Sequence, residues 1–217
     1  MQEQVNVTGI ILKAEPVGES DRRVVILTRE RGKIAAFARG ARKQGSRLLA
    51  STNPFCFGQF QIYEGRTAYS IKEAAIGNYF EGLREDYELT CYGMYFLEVM
   101  DYYTRENSDE TQMLKLLYQS LRALQHESLS RELVRYIFEI KALSINGEYP
   151  GIPGNENDYR DSTVYTLSYI VNTAVEKLYT FTVTPEVLSE LAKLTEIYRK
   201  RFMDRKFKSL EILSQMK

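Results

Sequence analysis

RRVVILTRERGKIAAFARGARKQGSR, residues 22–47, places two short apolar runs on either side of a turn and ends in a glycine-bearing basic tail. Residues 24–27 are apolar at consecutive positions, as in a strand covered on both faces. Arg29, Glu30, Arg31 and Gly32 read as a hairpin connection, with Gly32 supplying the permissive backbone. Residues 33–39 form the return strand, and its period of two puts Lys33, Ala35, Phe37 and Arg39 on one face and Ile34, Ala36 and Ala38 on the other. A β-hairpin is therefore the element around which the first third of the chain is built.

Upstream, Val5, Val7, Gly9 and Ile11 alternate with polar neighbours, and a turn segment runs from Pro16 to Asp21. Downstream, residues 56–63 and 69–74 read as two more strands around the turn Glu64, Gly65, Arg66 and Thr67. Five short strands, with one longer connection between the third and fourth, have the spacing of a small Greek-key barrel of the OB type; an SH3-like barrel shares it. From about residue 79 the period changes. Residues 83–103 are rich in helix formers, and 109–125 carry Leu114, Leu117, Leu121 and Leu124 on one face. Residues 129–145 repeat that pattern, with Ser128 or Ser130 as cap. Helical patterning returns over 166–178 and again over 185–201, where Thr184 is the cap and Pro185 takes the first helical position. A last short helix starts near Lys208. Between them, residues 147–162 (GEYPGIPGNENDYRDS) form a long loop. The expected architecture is a two-domain α+β protein, an OB-type five-stranded barrel over 1–78 and an all-α domain over 79–217 with a loop at about 147–162.

The whole chain is neutral, with 29 basic and 29 acidic side chains, yet nine cations fall within 22–47 against one acid, Glu30. Residues 1–80 carry net +5, residues 81–160 net −7 and residues 161–217 net +2. A positive stripe on a neutral protein favours a polyanion on one face. No apolar run reaches the roughly 18–20 residues of a membrane helix, and the polar start MQEQVNVTG is no signal peptide. Cys56 and Cys91 suit a reducing compartment and build neither a disulfide framework nor a zinc site.

On the third strand, Phe37 between Lys33 and Arg39 has the layout for stacking a base while neutralising phosphates beside it; alternatively Phe37 faces the barrel interior and the cations cap its ends. Arg22 and Arg23 point to opposite faces, so at most one joins that surface. Arg39, Arg42, Lys43 and Arg47, with Gly40 and Gly45, form a loop with no acid and little that could pack a core, which fits phosphate contact without reading of base edges. Catalysis finds little support. His126 ends a leucine-striped helix; Asn155 to Asp158 lacks the glycine and the closing glutamate of a calcium loop; Gly32 and Lys33 lack the remainder of a P-loop. No cofactor or metal is expected, and no enzyme activity.

These residues carry a resemblance. Gly18-Glu19-Ser20-Asp21, the strand 24–27, Thr28 with Gly32 four residues on, and then Ala38-Arg39-Gly40-Ala41-Arg42-Lys43 look like the N-terminal domain of the RecO family of recombination mediators. Pro54-Phe55 and the closing Phe207-Lys208-Ser209-Leu210 are similar to further elements of that family. The resemblance implies an OB-fold followed by a helical domain, binding of single- and double-stranded DNA, annealing of complementary strands, and loading of RecA onto strands coated by single-stranded DNA-binding protein. Its implied partners are RecR and the acidic C-terminal tail of single-stranded DNA-binding protein, in the cytoplasm at the nucleoid. Arg22, Lys33, Phe37, Arg39, Arg42, Lys43 and Arg47 are the expected DNA contacts. Arg199, Arg201, Lys206 and Lys208 are the cations on offer to an acidic tail, although helix C-termini favour cations in any case. Many members carry four zinc-binding cysteines where this chain has residues 147–162, which contain none. An OB-type RNA- or tRNA-binding module and an assembly factor without DNA contact are the alternatives.

Overall fold

The computed structural model describes residues 4–65 and 68–216, so Arg66 and Thr67 of the expected turn lie outside the described residues. The chain divides into two compact units, Met1–Glu81 with Leu97–Leu114, and Gly82–Phe96 with Lys115–Lys217.

In the first unit, β1 (Gln4–Val17), β2 (Asp21–Thr28), β3 (Gly32–Ala38), β4 (Phe57–Glu64) and β5 (Tyr69–Asn78) close into a barrel in the order β1-β2-β3-β5-β4. This is the OB-type barrel that the strand spacing implies. β1 is longer than its alternating stretch. Its first half pairs with β4 and its second half with β2, with a register shift between Ile11 and Lys13 that bends the strand around the barrel. β5 also runs past residue 74, because residues 74–78 pair with the start of β4. A short parallel contact, Ala36 with Tyr69 and Phe37 with Ser70, completes closure. The interior is filled by Val7, Ile11, Val24, Ile26, Ile34 and Phe60, with the small Ala36 and Ala38 contributed by β3.

The β2–β3 hairpin tip is joined to the segment after α2 (Tyr87–Tyr103). The Lys33 amide donates to the Arg105 carbonyl at 2.8 Å and the Asn107 amide to the Arg31 carbonyl at 3.0 Å. Gly32 sits at φ 65°, and a Cβ there would lie 2.2 Å from the Arg105 carbonyl oxygen, so both backbone and space demand glycine.

In the second unit, α4 (Arg131–Ile145) packs against α5 (Asp161–Asn172) and α6 (Pro185–Phe202), while α3 (Thr111–Leu124) contributes its C-terminal part and α7 (Lys208–Gln215) closes the chain. Ser130 caps α4 by accepting from the Leu133 amide at 3.1 Å, and Thr184 caps α6. The Phe96 and Phe138 rings stack at 4.1 Å in the core. α5 starts five residues before the expected position, because Glu190 gathers the Arg160 amide (3.2 Å) and the Thr163 hydroxyl (2.6 Å) around its first turn. It stops at Asn172, where buried Lys141 donates to the carbonyls of Val171 (2.7 Å) and Thr173 (2.8 Å). The cysteine-free loop is held by tyrosines: Tyr198 donates to the Gly151 carbonyl at 3.0 Å, Tyr159 to the Pro153 carbonyl at 3.3 Å, and the Tyr149 ring meets Tyr198 edge-on. Among the described residues no helix is long and apolar enough to cross a membrane.

Candidate nucleic-acid interface

The hairpin closes with Thr28 opposite Gly32, and that register sets Arg23 opposite Phe37 and Val25 opposite Ala35. Ile34, Ala36 and Ala38 are buried inside the barrel, so Phe37 is on the outer face and half-buried there, not in the interior. Its cross-strand neighbours are Arg23 on one side and Ser70 on the other. Arg23 is thus the member of the arginine pair that shares Phe37's surface, with Glu15 at 3.6 Å in an exposed pairing of little strength.

β3 leads into the basic loop. Gly40 turns the chain at φ 65°, and its amide donates to Asp21 Oδ1 at 2.7 Å, where the Ser20 hydroxyl also donates at 3.2 Å. The Arg42 amide donates to the Ser20 carbonyl at 2.8 Å and its guanidinium to the Gly18 carbonyl at 3.1 Å. The two halves of the sequence signature, Gly18 to Asp21 and Gly40 to Arg42, are therefore bonded to each other. The Gly40 amide holds the Asp21 carboxyl below its ordinary range; partial desolvation opposes it, while Ser20 and the nearby charges of Arg39 and Lys43 act in the same sense as Gly40. Arg39, Arg42, Lys43 and Arg47 are exposed, and among the described residues none of the four lies within ion-pair distance of a carboxylate. Four cations on a preformed loop, next to an outward aromatic ring, can neutralise successive phosphates while one base stacks.

Two expected contacts are engaged elsewhere. Arg22 directs Nη1 to the Leu49 carbonyl (3.0 Å), Thr52 Oγ1 (3.0 Å) and Asn53 Oδ1 (2.9 Å), which ties the short helix α1 (Leu48–Ser51) to the start of β2. Lys33 Nζ donates to Asp101 Oδ1 at 3.0 Å and to the Asp101 carbonyl, so it secures the hairpin tip. Along an extended strand Lys33 is also roughly 13 Å from Phe37. The structure sets Arg23 opposite Phe37, puts Arg39 and Lys43 near Asp21 and Arg42 on Gly18, leaves Arg47 exposed at the end of the same loop, and engages Arg22 and Lys33 elsewhere. Arg23 was accessible to sequence reasoning through the hairpin register; Asn53 and Asp101, which occupy the other two, were not.

The helical unit contains a second feature, a groove of about 570 Å³ between α4, α6 and α7. Tyr136, Met203, Phe207 and Leu213 give it an apolar floor, and Arg199, Lys200, Arg205 and Lys206 a cationic rim, with Glu196 and Glu211 interspersed. Of the expected cations, Arg199 and Lys206 line it; Arg201 and Lys208 do not, and Arg201 lies over the Phe202 ring at 5.2 Å. Arg135 lines it as well, a residue that its i,i+4 spacing to Glu139 disguises as an ordinary surface pair. It is nearly buried: Nε donates to Glu139 Oε1 at 2.7 Å, and the Tyr95 hydroxyl donates to the same oxygen at 2.7 Å. Burial pulls hardest against the Arg135 charge, but the Glu139 carboxylate together with Tyr95 and Tyr136 outweighs it and holds the guanidinium protonated above its usual range. No group of three potential metal ligands occurs among the described residues.

The family model described as Recombination protein O N terminal matches residues 1–80, and that described as Recombination protein O C terminal matches residues 84–152. The chain is similar to the DNA repair protein RecO of Clostridium perfringens (strain 13 / Type A), 29% identical over 238 residues covering 96% of this chain and 97% of the relative. It is similar to the DNA repair protein RecO of Clostridium novyi (strain NT), 28% identical over 237 residues covering 96% and 93%. Against the DNA repair protein RecO of Bacillus pumilus (strain SAFR-032) the identity is 37% over 142 residues, covering 65% of this chain and 55% of the relative.

Proposed function

The chain belongs to the recombination protein O family, and from that premise we propose that it is a DNA-repair mediator that binds DNA through its barrel, independently of sequence. The observation that carries this reading is the loop of four exposed cations, Arg39, Arg42, Lys43 and Arg47, none of them ion-paired among the described residues, preformed at the end of the strand that carries Phe37 opposite Arg23. Single strands repel one another through their phosphates. A cationic loop that screens the phosphates and leaves most base edges free lowers the barrier to annealing complementary strands. No covalent step is needed, and the role is a binding one, on single- and double-stranded DNA alike.

Recruitment to coated strands fits the groove of the helical unit. An acidic C-terminal tail of single-stranded DNA-binding protein would set its carboxylates against the rim cations and Arg135, and its apolar end on Phe207 and Met203. RecR would act with the chain in passing the cleared strand to RecA in the cytoplasm. The test is fluorescence anisotropy on a labelled single strand across a salt series. Tight binding that weakens steeply with salt supports the proposal, and salt-insensitive or absent binding removes its foundation.

A further inference from the structure

A carboxylate within a site for a polyanion is electrostatically adverse, yet Asp21 stands against the cationic loop, close enough for Arg39 and Lys43 to act on its charge. Its bonding accounts for its presence. Asp21 Oδ1 takes the amide of Gly40, the residue at positive φ that turns β3 into the loop. That amide lies between Arg39 and Arg42, so the bond sets the peptide plane from which both side chains depart. The preceding residues reinforce it, with the Ser20 and Gly18 carbonyls accepting from Arg42. At the far end of the loop, Arg22 anchors α1. Residues 18–21 thus hold the start of loop 39–47 at Gly40 and Arg42, whereas Arg22 ties down the segment that follows the loop.

We propose that Asp21 is a positioning residue for nucleic-acid binding, which through the Gly40 amide holds the loop so that Arg39, Arg42 and Lys43 meet successive phosphates together. This rests on the reading of that loop as the DNA contact. Positioning and plain electrostatics make opposite forecasts. If Asp21 acted only by its charge, any neutral replacement would tighten binding and a charge-conserving one would change nothing.

The full-length chain is titrated against labelled oligo(dT) across a salt series as wild type, Asp21→Asn, Asp21→Glu and Asp21→Ala, with a thermal melt of each. Asn keeps the acceptor and removes the charge, and is expected to bind at least as tightly as wild type with the same salt slope. Ala loses the acceptor, and Glu displaces it by one methylene. Both are expected to bind about ten-fold more weakly, the loss associated with a hydrogen bond to a charged group, with a shallower slope because fewer cations engage at once. Asp21→Glu keeps the experiment decisive where Asp21→Ala does not fold. Wild-type affinity and slope in Asp21→Glu, or in a folded Asp21→Ala of lowered melting temperature, would overturn the proposal. An Asp21→Asn variant as weak as Asp21→Ala would do the same. Wild type without salt-dependent binding would instead remove the DNA reading of the loop, and the positioning role with it.

Discussion

Counting the cations available to phosphates yields a number that can be measured. Four loop cations, Arg39, Arg42, Lys43 and Arg47, stand exposed and, among the described residues, outside ion-pair distance of any carboxylate. At roughly 0.7 per phosphate for a single strand, they set a slope of log affinity against log salt near −2.8. Raising salt from about 50 to 200 mM should then weaken binding roughly 50-fold. Arg23, shared with Glu15, can steepen the slope towards about −3.5. Arg39→Ala, Arg42→Ala and Lys43→Ala, introduced in turn, should each remove about 0.7, leaving the triple variant near −0.7 and only about three-fold sensitive to the same change in salt. Arg22→Ala and Lys33→Met are the informative controls. Their nitrogens are committed to α1 and to Asp101, so both should lower stability and leave the slope where it was. Anisotropy on oligo(dT) in a series of potassium chloride concentrations reads all of this. A triple variant with the wild-type slope would refute the assignment of the loop. A wild-type slope near −4.2 that falls on removing Arg22 or Lys33 would show that those side chains leave their present partners to engage DNA.

Further expectations concern other parts of the molecule. Phe37→Ala should cost about 1–3 kcal/mol in single-strand affinity with an unchanged salt slope, and much less on a duplex whose bases stay stacked; equal losses on both would argue against stacking. A labelled acidic tail peptide of single-stranded DNA-binding protein should bind the helical groove, and Arg199→Ala with Lys206→Ala should weaken it by ten-fold or more, each good ion contact contributing on the order of 1–2 kcal/mol; unchanged peptide affinity would move the tail elsewhere. Glu139→Ala strands the nearly buried Arg135 without its partner and should cost about 3–5 kcal/mol in urea unfolding, Glu139→Gln less, and a loss under about 1 kcal/mol would mean that Arg135 finds water or another acceptor. Asp86 titrates below its ordinary 3.8, chiefly through its hydrogen bonds from Arg131 and also through the Leu89 amide. A carboxyl depressed on folding adds stability that is complete above the unfolded value and is lost as pH falls through the folded one, so the urea midpoint should drop below about pH 4. Asp86→Asn should flatten that acid limb, and an equally steep limb in the variant would assign it to other carboxylates.

Much of this was legible in the chain because it follows from local geometry. Alternation over residues 33–39 reported which face Phe37 takes once Ile34, Ala36 and Ala38 were assigned inward, although the interior placement of Phe37 was equally consistent with period alone. Ser130 and Thr184 announced their helices because a cap needs only a hydroxyl and the amide three residues on. The observed ends of α5 differ from the expected ones for the contrary reason. Its start depends on Glu190 and its end on Lys141, each about 30 residues away, and neither leaves a mark in the pattern of 161–178. The full length of β1 has no mark in the local pattern because pairing with β2, rather than alternation, keeps residues 13–17 extended.

The sequence by itself determined the barrel-then-helices plan, the charge stripe and the basic loop, since hydrophobic period, turn residues and charge density are properties of neighbours along the chain. Only the tertiary structure decided which cations are free to meet a ligand. Lys33 finds Asp101, 68 residues on, and Arg22 finds Asn53, 31 residues on. Arg39, Arg42, Lys43 and Arg47 find no carboxylate at all among the described residues. A long charged side chain goes to whatever acceptor the folded chain brings within its reach. That acceptor is fixed by the closing of the barrel and the path of α2, which no local pattern encodes.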